Sequence, residues 1–354
     1  MGACKSAPIH ACPMRYLTNL STDPCFNMAF DEYALQQLSL DEPLFFLWQN
    51  RPAVIIGLNQ NAYAEVDLDY LKRNGIALVR RVTGGGAVYH DLGNLNYTIV
   101  GRAADLNRDY PEYTRYMLQA LQALGVEAEL SGRNDILVGG RKVSGYAKRV
   151  YKDRLMVHGT LMFDVDLGVL ERALNPPAGK LEAKGIASVR SRVTNLRECL
   201  PEVADVADFK GRLERYLSCG YSDAEYVLQP HQLEEIARMA RGKFATDEWT
   251  FGRSVNPHVK GAGDECIVTR KERLRCGTVE ATVRVHEGVI AACSFGGDFI
   301  GGLSPVALEE ALVGVRYEAE AIGQCLAGME VHRYFDGATP QELLGILLKL
   351  GGRN

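Results

Sequence analysis

The 354-residue chain lacks the long apolar run of about 18 residues that a membrane-spanning helix needs. Its longest such runs, Ala53–Leu58 and Leu343–Leu348, are the length of core elements. No signal-peptide apolar region precedes a small-residue cleavage site, which predicts a cytoplasmic protein. The nine cysteines are odd in number and irregularly spaced, with no C-x-x-C pair. Neither a zinc site nor a disulfide framework is signalled, and reduced thiols fit best. An excess of positive charge is missing too. Lys and Arg number 40 against 44 Asp and Glu, a net charge of −4, which excludes a globally basic nucleic-acid binder. There is no Walker A loop, no G-x-G-x-x-G, no G-x-S-x-G elbow and no H-E-x-x-H. No cysteine lies between Cys25 and Cys199, so the stretch that carries the distinctive motifs holds no cysteine nucleophile.

The composition is otherwise that of a folded protein, with 47% hydrophobic and 24% charged residues. Met1-Gly-Ala-Cys-Lys-Ser6 fits a short myristoylation pattern, but residues 1–13 read best as a flexible extension, with organised patterning from Met14. Asp23-Pro24 predicts a helix start, and apolar residues at helical spacing follow through Leu35. Phe45–Trp48 and Val54–Ile56 read as buried strands and Val66–Arg73 as a helix stopped at Asn74-Gly75. Ile76–Arg80 reads as a strand, Asn94–Val100 as a half-buried strand and Glu112–Leu124 as a helix ended by Gly125. Strands are predicted at Val126–Leu130, Ile136–Val138, Arg141–Ala147 and Leu155–Val165. The connection Asn175–Lys180 follows, then helices Asp205–Leu217 and Gln232–Arg241. The pattern breaks over Gly242–Phe251, which predicts a linker. Beyond it come strands Cys276–Val285 and Val289–Ser294 about a Glu287-Gly288 turn, and helices Pro305–Val313 and Tyr317–Ala327. The expectation is an α+β fold in two parts, residues 14–245 and a small α+β domain, residues 246–354.

The chemistry-bearing segments lie in the middle of the first part. In Arg80-Arg-Val-Thr-Gly-Gly-Gly-Ala-Val-Tyr-His90 three glycines follow a strand ending in two arginines. Glycines let backbone N–H groups approach one anion, and Arg80 and Arg81 offer bidentate contacts to phosphate or carboxylate. In Asn134-Asp135 and Lys142-Val-Ser-Gly-Tyr-Ala147, a lysine follows a Gly-Gly turn, where it could hold two anions together. Residues 133–154 hold seven basic and two acidic residues. Part of that charge, over Arg149–Arg154, reads either as a solvated hairpin or as a dock for an acidic partner protein. A lone histidine in a strand reads first as a hydrogen-bonded core residue, so His90 and His158 are not assigned proton transfer from pattern alone.

These blocks, in this order, resemble the lipoate–protein ligase A family. The resemblance rests on Arg80-Arg81 with Gly84-Gly85-Gly86, His90-Asp91 and Gly93-Asn94. It continues through Asn134-Asp135, Lys142–Ala147, His158-Gly-Thr160 and Lys184–Asn195. Ser21–Pro24 with Asn27-Met-Ala29 resembles the family's N-terminal helix start, and Trp249–Gly252 and the tail resemble its accessory domain. The resemblance implies a biotin/lipoate ligase-like fold, a mixed sheet with flanking helices plus a small accessory domain. It implies that lipoate and MgATP give lipoyl-adenylate. The lipoyl group then passes to a lysine of lipoyl domains of 2-oxoacid dehydrogenase E2 subunits or of the glycine-cleavage H protein. By resemblance Lys142 is the key catalytic lysine, touching both the acyl carboxylate and the α-phosphate. Arg81, Gly84, Gly85, Gly86, Ala87, Val88, Tyr89, Asn134, Asp135 and Lys142 are the ATP positions. Lys142, Arg81, Ser144, Gly145, His158, Gly159 and Thr160 are the lipoate positions. Mg²⁺ accompanies ATP with no assigned ligands, Val88 and Leu161–Phe163 are expected to line the apolar slot, and the chain is expected to be a monomer. A lipoyltransferase using preformed lipoyl-adenylate, or an octanoyltransferase of the same fold, stays open beside this reading.

Overall fold

In the computed structural model, residues 14–39, 41–103, 111–131, 134–174, 192–218, 225–252 and 266–348 are described. The 1–13 extension, Gly132-Arg133, the Asn175–Lys180 connection and residues 184–191 of the last motif lie outside them. The first helix, α1 (Pro24–Gln36), starts where Asp23 accepts hydrogen bonds from the N–H groups of Cys25 and Phe26, with Pro24 in its first turn. Both features satisfy or remove donors that a helix start leaves open. Nearly all of α1 is buried.

It lies against a seven-stranded sheet in the order β1-β2-β6-β10-β9-β8-β7. These strands are β1 (Arg15–Tyr16), β2 (Leu44–Trp48), β6 (Asn94–Arg102), β7 (Ala128–Ser131), β8 (Asp135–Val138), β9 (Arg141–Tyr151) and β10 (Arg154–Met162). Side chains alternate across the sheet. Phe45 and Leu47 of β2 join Leu95, Tyr97 and Ile99 of β6 on one face, under α4 (Pro111–Ala123) and α6 (Val206–Leu217). Leu44, Phe46 and Trp48 face α1 on the other. The polar–apolar alternation of Asn94–Val100 predicts a half-buried strand, yet β6 is buried at every position but its last. Helices cover both faces, and Asn94, Asn96 and Thr98 point into a polar seam rather than to water.

A smaller sheet, β4-β3-β5, carries the glycine loop. β3 (Ala53–Ile56) runs parallel to β4 (Ala77–Arg80) and antiparallel to β5 (Val88–His90). The expected helix Val66–Arg73 is α3 (Leu68–Arg73), which starts two residues later because Asp67 caps it through the Tyr70 N–H, and a further short helix, α2 (Ala62–Glu65), precedes it. α5 (Leu167–Ala173) flanks this sheet.

The predicted linker Gly242–Phe251 is not one. α7 (Pro230–Met239) continues into a π turn at Ala240–Phe244 and then α8 (Asp247–Phe251). Phe244 and Thr250 are buried, and the Trp249 indole donates to the Arg80 carbonyl at 2.8 Å. The C-terminal part has its own core between β11-β12-β13 (Cys266–Leu274, Gly277–His286, Val289–Gly297) and helices α9–α12 (Val306–Leu312, Ala319–Ala327, Val331–Tyr334, Pro340–Leu348). The sequence pattern does not announce β11. Glu287 and Gly288 both take positive φ, which the tight turn between β12 and β13 requires. Among the described residues no helix is long and apolar enough to cross a membrane.

Candidate functional site

The sheets meet at a cleft lined by the glycine loop, β9, β10, α1 and β2. Of the sequence-predicted residues, Arg81, Gly85, Gly86, Ala87, Val88, Asn134, Lys142, Gly145, His158, Gly159 and Thr160 line it. Gly84, Tyr89, Asp135 and Ser144 do not. Tyr89 points to the other face of its sheet, into a core with Val54 and Ile56. Ser144 is buried within β9, and Leu161 and Phe163 belong to the main core. The apolar slot is therefore built from Met28, Trp48, Ile55, Val88 and Ala147, not from Leu161–Phe163.

Lys142 reaches the cleft because Gly139 and Gly140 both take positive φ and turn β8 tightly into β9. Its ammonium lies 2.8 Å from Asp135 Oδ1, each side chain about one-third exposed. Its backbone carbonyl accepts from Thr194 N–H, which brings the end of the Lys184–Asn195 motif to the site. The lysine side chain crosses Gly145, where an added Cβ would lie 2.6 Å from Nζ. Gly145→Ala should therefore push the ammonium aside while the flexible side chain absorbs the strain. We expect kcat/KM to fall roughly 10- to 100-fold with little change in melting temperature. Equal activity would remove Lys142 placement as the reason for this glycine.

The paired arginines are not equivalent. Arg80 is fully buried and donates to the carbonyls of Gly57, Leu58, Gln60, Trp249 and Thr250. Its expected anion contact is excluded by that burial. Arg81 lines the cleft, but its guanidinium donates to the carbonyls of Ile55, Gly84 and Gly86 and to the Thr83 hydroxyl. It holds the loop in shape from beneath. Burial and the Arg80 charge pull it down to about 9, so it remains cationic at neutral pH. Gly57 has no room for a side chain, because a Cβ there would meet the Gly85 carbonyl.

The three glycines are not equivalent. The Gly85 N–H donates to the Phe299 carbonyl at 3.0 Å, and a Cβ on Gly84 would meet that same oxygen. A Cβ on Gly86 would only touch Asp298 Cβ at 4.0 Å. The C-terminal part thus packs on the first two glycines, while Gly85, Gly86 and Ala87 line the cleft. The cover is tied down by Val150 N–H to the Gly302 carbonyl at 2.8 Å and by Lys148 to Asp336 at 2.5 Å. Burial pulls the Lys148 ammonium down to about 8, partly offset by Asp336. The basic stretch after it is also committed. Arg149 donates to the Val82 carbonyl and Arg154 to the carbonyls of Leu35 and Leu38. These contacts anchor the two arginines on the fold and leave their charge in place.

Beneath the loop runs a buried hydrogen-bond chain that the sequence did not reveal. Arg81 Nε donates to Thr83 Oγ1, which lies 2.7 Å from His158 Nε2. His158 Nδ1 lies 2.7 Å from Asp31 Oδ2. Asp31 Oδ1 accepts from Thr98, whose oxygen accepts from the Trp48 indole. His158 is thus a fixed member of the cleft floor. The available signal was Asp31 itself, a carboxylate on a largely apolar helix, which demands a partner when buried.

Comparison with known proteins agrees with this geometry. Residues 23–218 match the lipoyl protein ligase A/B catalytic domain family, and residues 264–347 match the bacterial lipoate protein ligase C-terminus. The chain is 37% identical over 330 residues to lipoate-protein ligase LplJ of Bacillus subtilis, covering 92% of this chain and 97% of that protein. It is also 37% identical over 336 residues to lipoate–protein ligase 1 of Staphylococcus aureus, covering 94% and 100%. Among solved structures, P. falciparum LipL1 in complex with lipoate shares the fold, with a TM-score of 0.74 over 95% of this chain and 99% of that one, at 22% identity. A lipoate-protein ligase A structure bound with ATP is 31% identical, with a TM-score of 0.55 over 68% of this chain and 98% of that one. The chain belongs to the lipoate–protein ligase family.

Proposed function

We propose that the cleft carries out both halves of ATP-dependent lipoylation. In the first, a lipoate carboxylate oxygen attacks the α-phosphorus of ATP. Lipoyl-adenylate forms and pyrophosphate leaves. In the second, a lysine amine of an acceptor protein attacks the acyl carbonyl, an amide forms and AMP leaves. The observation that carries this reading is Lys142, a cation of the cleft wall held by Asp135, in one lining with the Gly86-Ala87 end of the loop and an apolar slot. The first step brings two anions together. A preorganised ammonium in a site of low dielectric offsets that repulsion where the charge develops. Backbone N–H groups at Gly86 and Ala87 add donors without a side chain in the way. Arg81 contributes from below, by fixing the loop carbonyls and supplying a positive field.

Asp135 orients Lys142. Among the described residues no three His, Cys, Asp or Glu side chains cluster as a metal cage. That suits Mg²⁺, which takes one or two carboxylates together with substrate phosphates. Bound with ATP, the ion would neutralise charge on the phosphates, and no side chain of the cleft is assigned to it.

The acceptor we propose is a lipoyl domain of a 2-oxoacid dehydrogenase E2 subunit, with H protein as the other member of the class. A bipartite lipoate protein ligase of Thermoplasma acidophilum, solved in a study of that enzyme and its E2 lipoyl domain, supports the first. It is 31% identical over 69% of this chain, with a TM-score of 0.58. The reading includes a cytoplasmic monomer with thiols reduced, in keeping with the free state of Cys25, Cys199, Cys276, Cys293 and Cys325. It also includes a catalytic unit running from residue 14 through Phe251 rather than 245, with the accessory unit after it. The Arg80 contacts with Trp249 and Thr250 support that boundary.

The test is lipoate-dependent exchange of labelled pyrophosphate into ATP by the full chain. Robust exchange is the expected result. No exchange, with transfer still seen from synthetic lipoyl-adenylate to an apo lipoyl domain, would instead make the protein a transferase without an activation step.

A further inference from the structure

The apolar end of the cleft holds a polar hydrogen whose position the surrounding amides dictate. Asn27 Nδ2 faces the carbonyl oxygens of Ser21 and Gln49 at 3.1 and 2.9 Å, so this atom is a donor. It also faces one atom of the Asn50 amide at 2.7 Å, which must then be the oxygen. The other Asn50 atom is therefore nitrogen, and it donates to His90 Nδ1 at 3.0 Å. A histidine that accepts at Nδ1 and is neutral carries its proton on Nε2. His90 is 3% exposed, and burial, aided by Arg81 and His158, pulls its pKa down to about 3. The ring is neutral at pH 7. Among the described residues His90 Nε2 has no hydrogen-bond partner, and the ring forms part of the cleft wall.

None of its neighbours among the described residues takes that hydrogen. Trp48 stands edge-on with ring centroids 6.0 Å apart, and its indole N–H is already given to Thr98. Met28, Ile55 and Val88 are apolar. The Asn96 amide is engaged at both ends, by Asn94 and by the Trp48 carbonyl. His90 lies at the end of β5, four residues after Gly86.

We propose that His90 is the specificity-determining residue for the sulfur end of the acyl group. Its Nε2–H donates to a dithiolane sulfur, so the site prefers an acyl chain ending in a cyclic disulfide over an all-carbon chain of the same shape. The inference rests on the lipoate-activating role assigned to this cleft. Sulfur is a weak acceptor, yet a buried donor left facing methylenes incurs its desolvation penalty in full. An alkyl chain therefore meets an unsatisfied N–H that lipoate satisfies.

The experiment measures binding of free acids to the full chain by calorimetry, with acyl-dependent pyrophosphate exchange alongside. Lipoate is compared with octanoate and with the carbocyclic analogue, in which both sulfurs are replaced by methylenes. We expect the wild-type protein to bind lipoate about tenfold more tightly than the carbocycle. That gap closes in His90→Leu and is largely kept in His90→Gln, which retains an N–H donor. Equal affinity of the wild type for lipoate and carbocycle overturns the proposal without need of any variant. So does a gap that survives His90→Leu. A binding preference without exchange would strike the ligase reading and leave the role of His90 standing.

Discussion

Lys142→Ala should lower lipoate-dependent pyrophosphate exchange by roughly 100- to 1,000-fold, the loss typical of removing one donor aimed at developing charge. The reason is electrostatic. A carboxylate must approach an α-phosphate inside a slot walled by Met28, Trp48, Ile55 and Val88, where water screens poorly. Arg81 cannot take over. Its guanidinium is engaged by the carbonyls of Ile55, Gly84 and Gly86. Lys142 is about one-third exposed and its one ion pair, with Asp135, is partly solvated. Such pairs contribute about 0–1 kcal/mol, so the melting temperature should move by no more than a few degrees. Exchange assays and thermal melts on the same preparation check both halves. Transfer from synthetic lipoyl-adenylate should fall less than exchange, because that step brings no second anion to the site.

Arg80→Lys should give the opposite pattern, a large loss of stability. The Arg80 guanidinium donates to carbonyls on two chain segments, the Gly57–Gln60 turn and α8. A lysine ammonium has three donors and no planar fork, and it leaves several of these oxygens without a partner. Each buried polar group left unsatisfied costs about 1–3 kcal/mol. Two such oxygens bring the loss to about 4 kcal/mol, the range seen when a buried network is broken. For a chain of this size that is a fall of roughly 5 °C in melting temperature, and the displaced α8 should become a site of proteolysis. If Arg80 were an anion contact instead, the variant would melt like the wild type and show a raised KM for ATP. Thermal denaturation and the ATP dependence of exchange separate the two.

The contrast between these two residues shows what local sequence reveals. The glycine loop, the Gly139-Gly140 turn and Lys142 are legible because each depends on neighbours within a few positions. The same locality made Arg80 and Arg81 look like twin anion donors. Their partners, Trp249 and Thr250 for one and Ile55 for the other, lie far away in sequence. β4 ends with successive residues facing opposite sides, so one arginine had to enter the packing with α8 and the other the cleft. The floor of the site comes from α1 and β2, where Asp31, Asn27 and Trp48 read as ordinary helix and strand residues. Their roles appear only once β6 and β10 lie beside them. Gly242 suggested a break in the chain. A π turn absorbed it, held by buried Phe244 and by the Lys243 ammonium on Glu32 at 2.7 Å. The cover over Gly84 and Gly85 comes from a loop more than 200 residues further on, and no periodicity announces such a contact.

The central claim is that the acid is activated by direct attack of its carboxylate on the α-phosphate. Lipoate whose carboxylate carries heavy oxygen tests this most directly. The labelled acid is incubated with the full chain, ATP, Mg²⁺ and an apo lipoyl domain, and the released AMP is analysed by mass spectrometry. The account predicts one heavy oxygen in each AMP formed by acyl transfer and none in the pyrophosphate. Unlabelled AMP, or release of ADP and labelled inorganic phosphate, would contradict it.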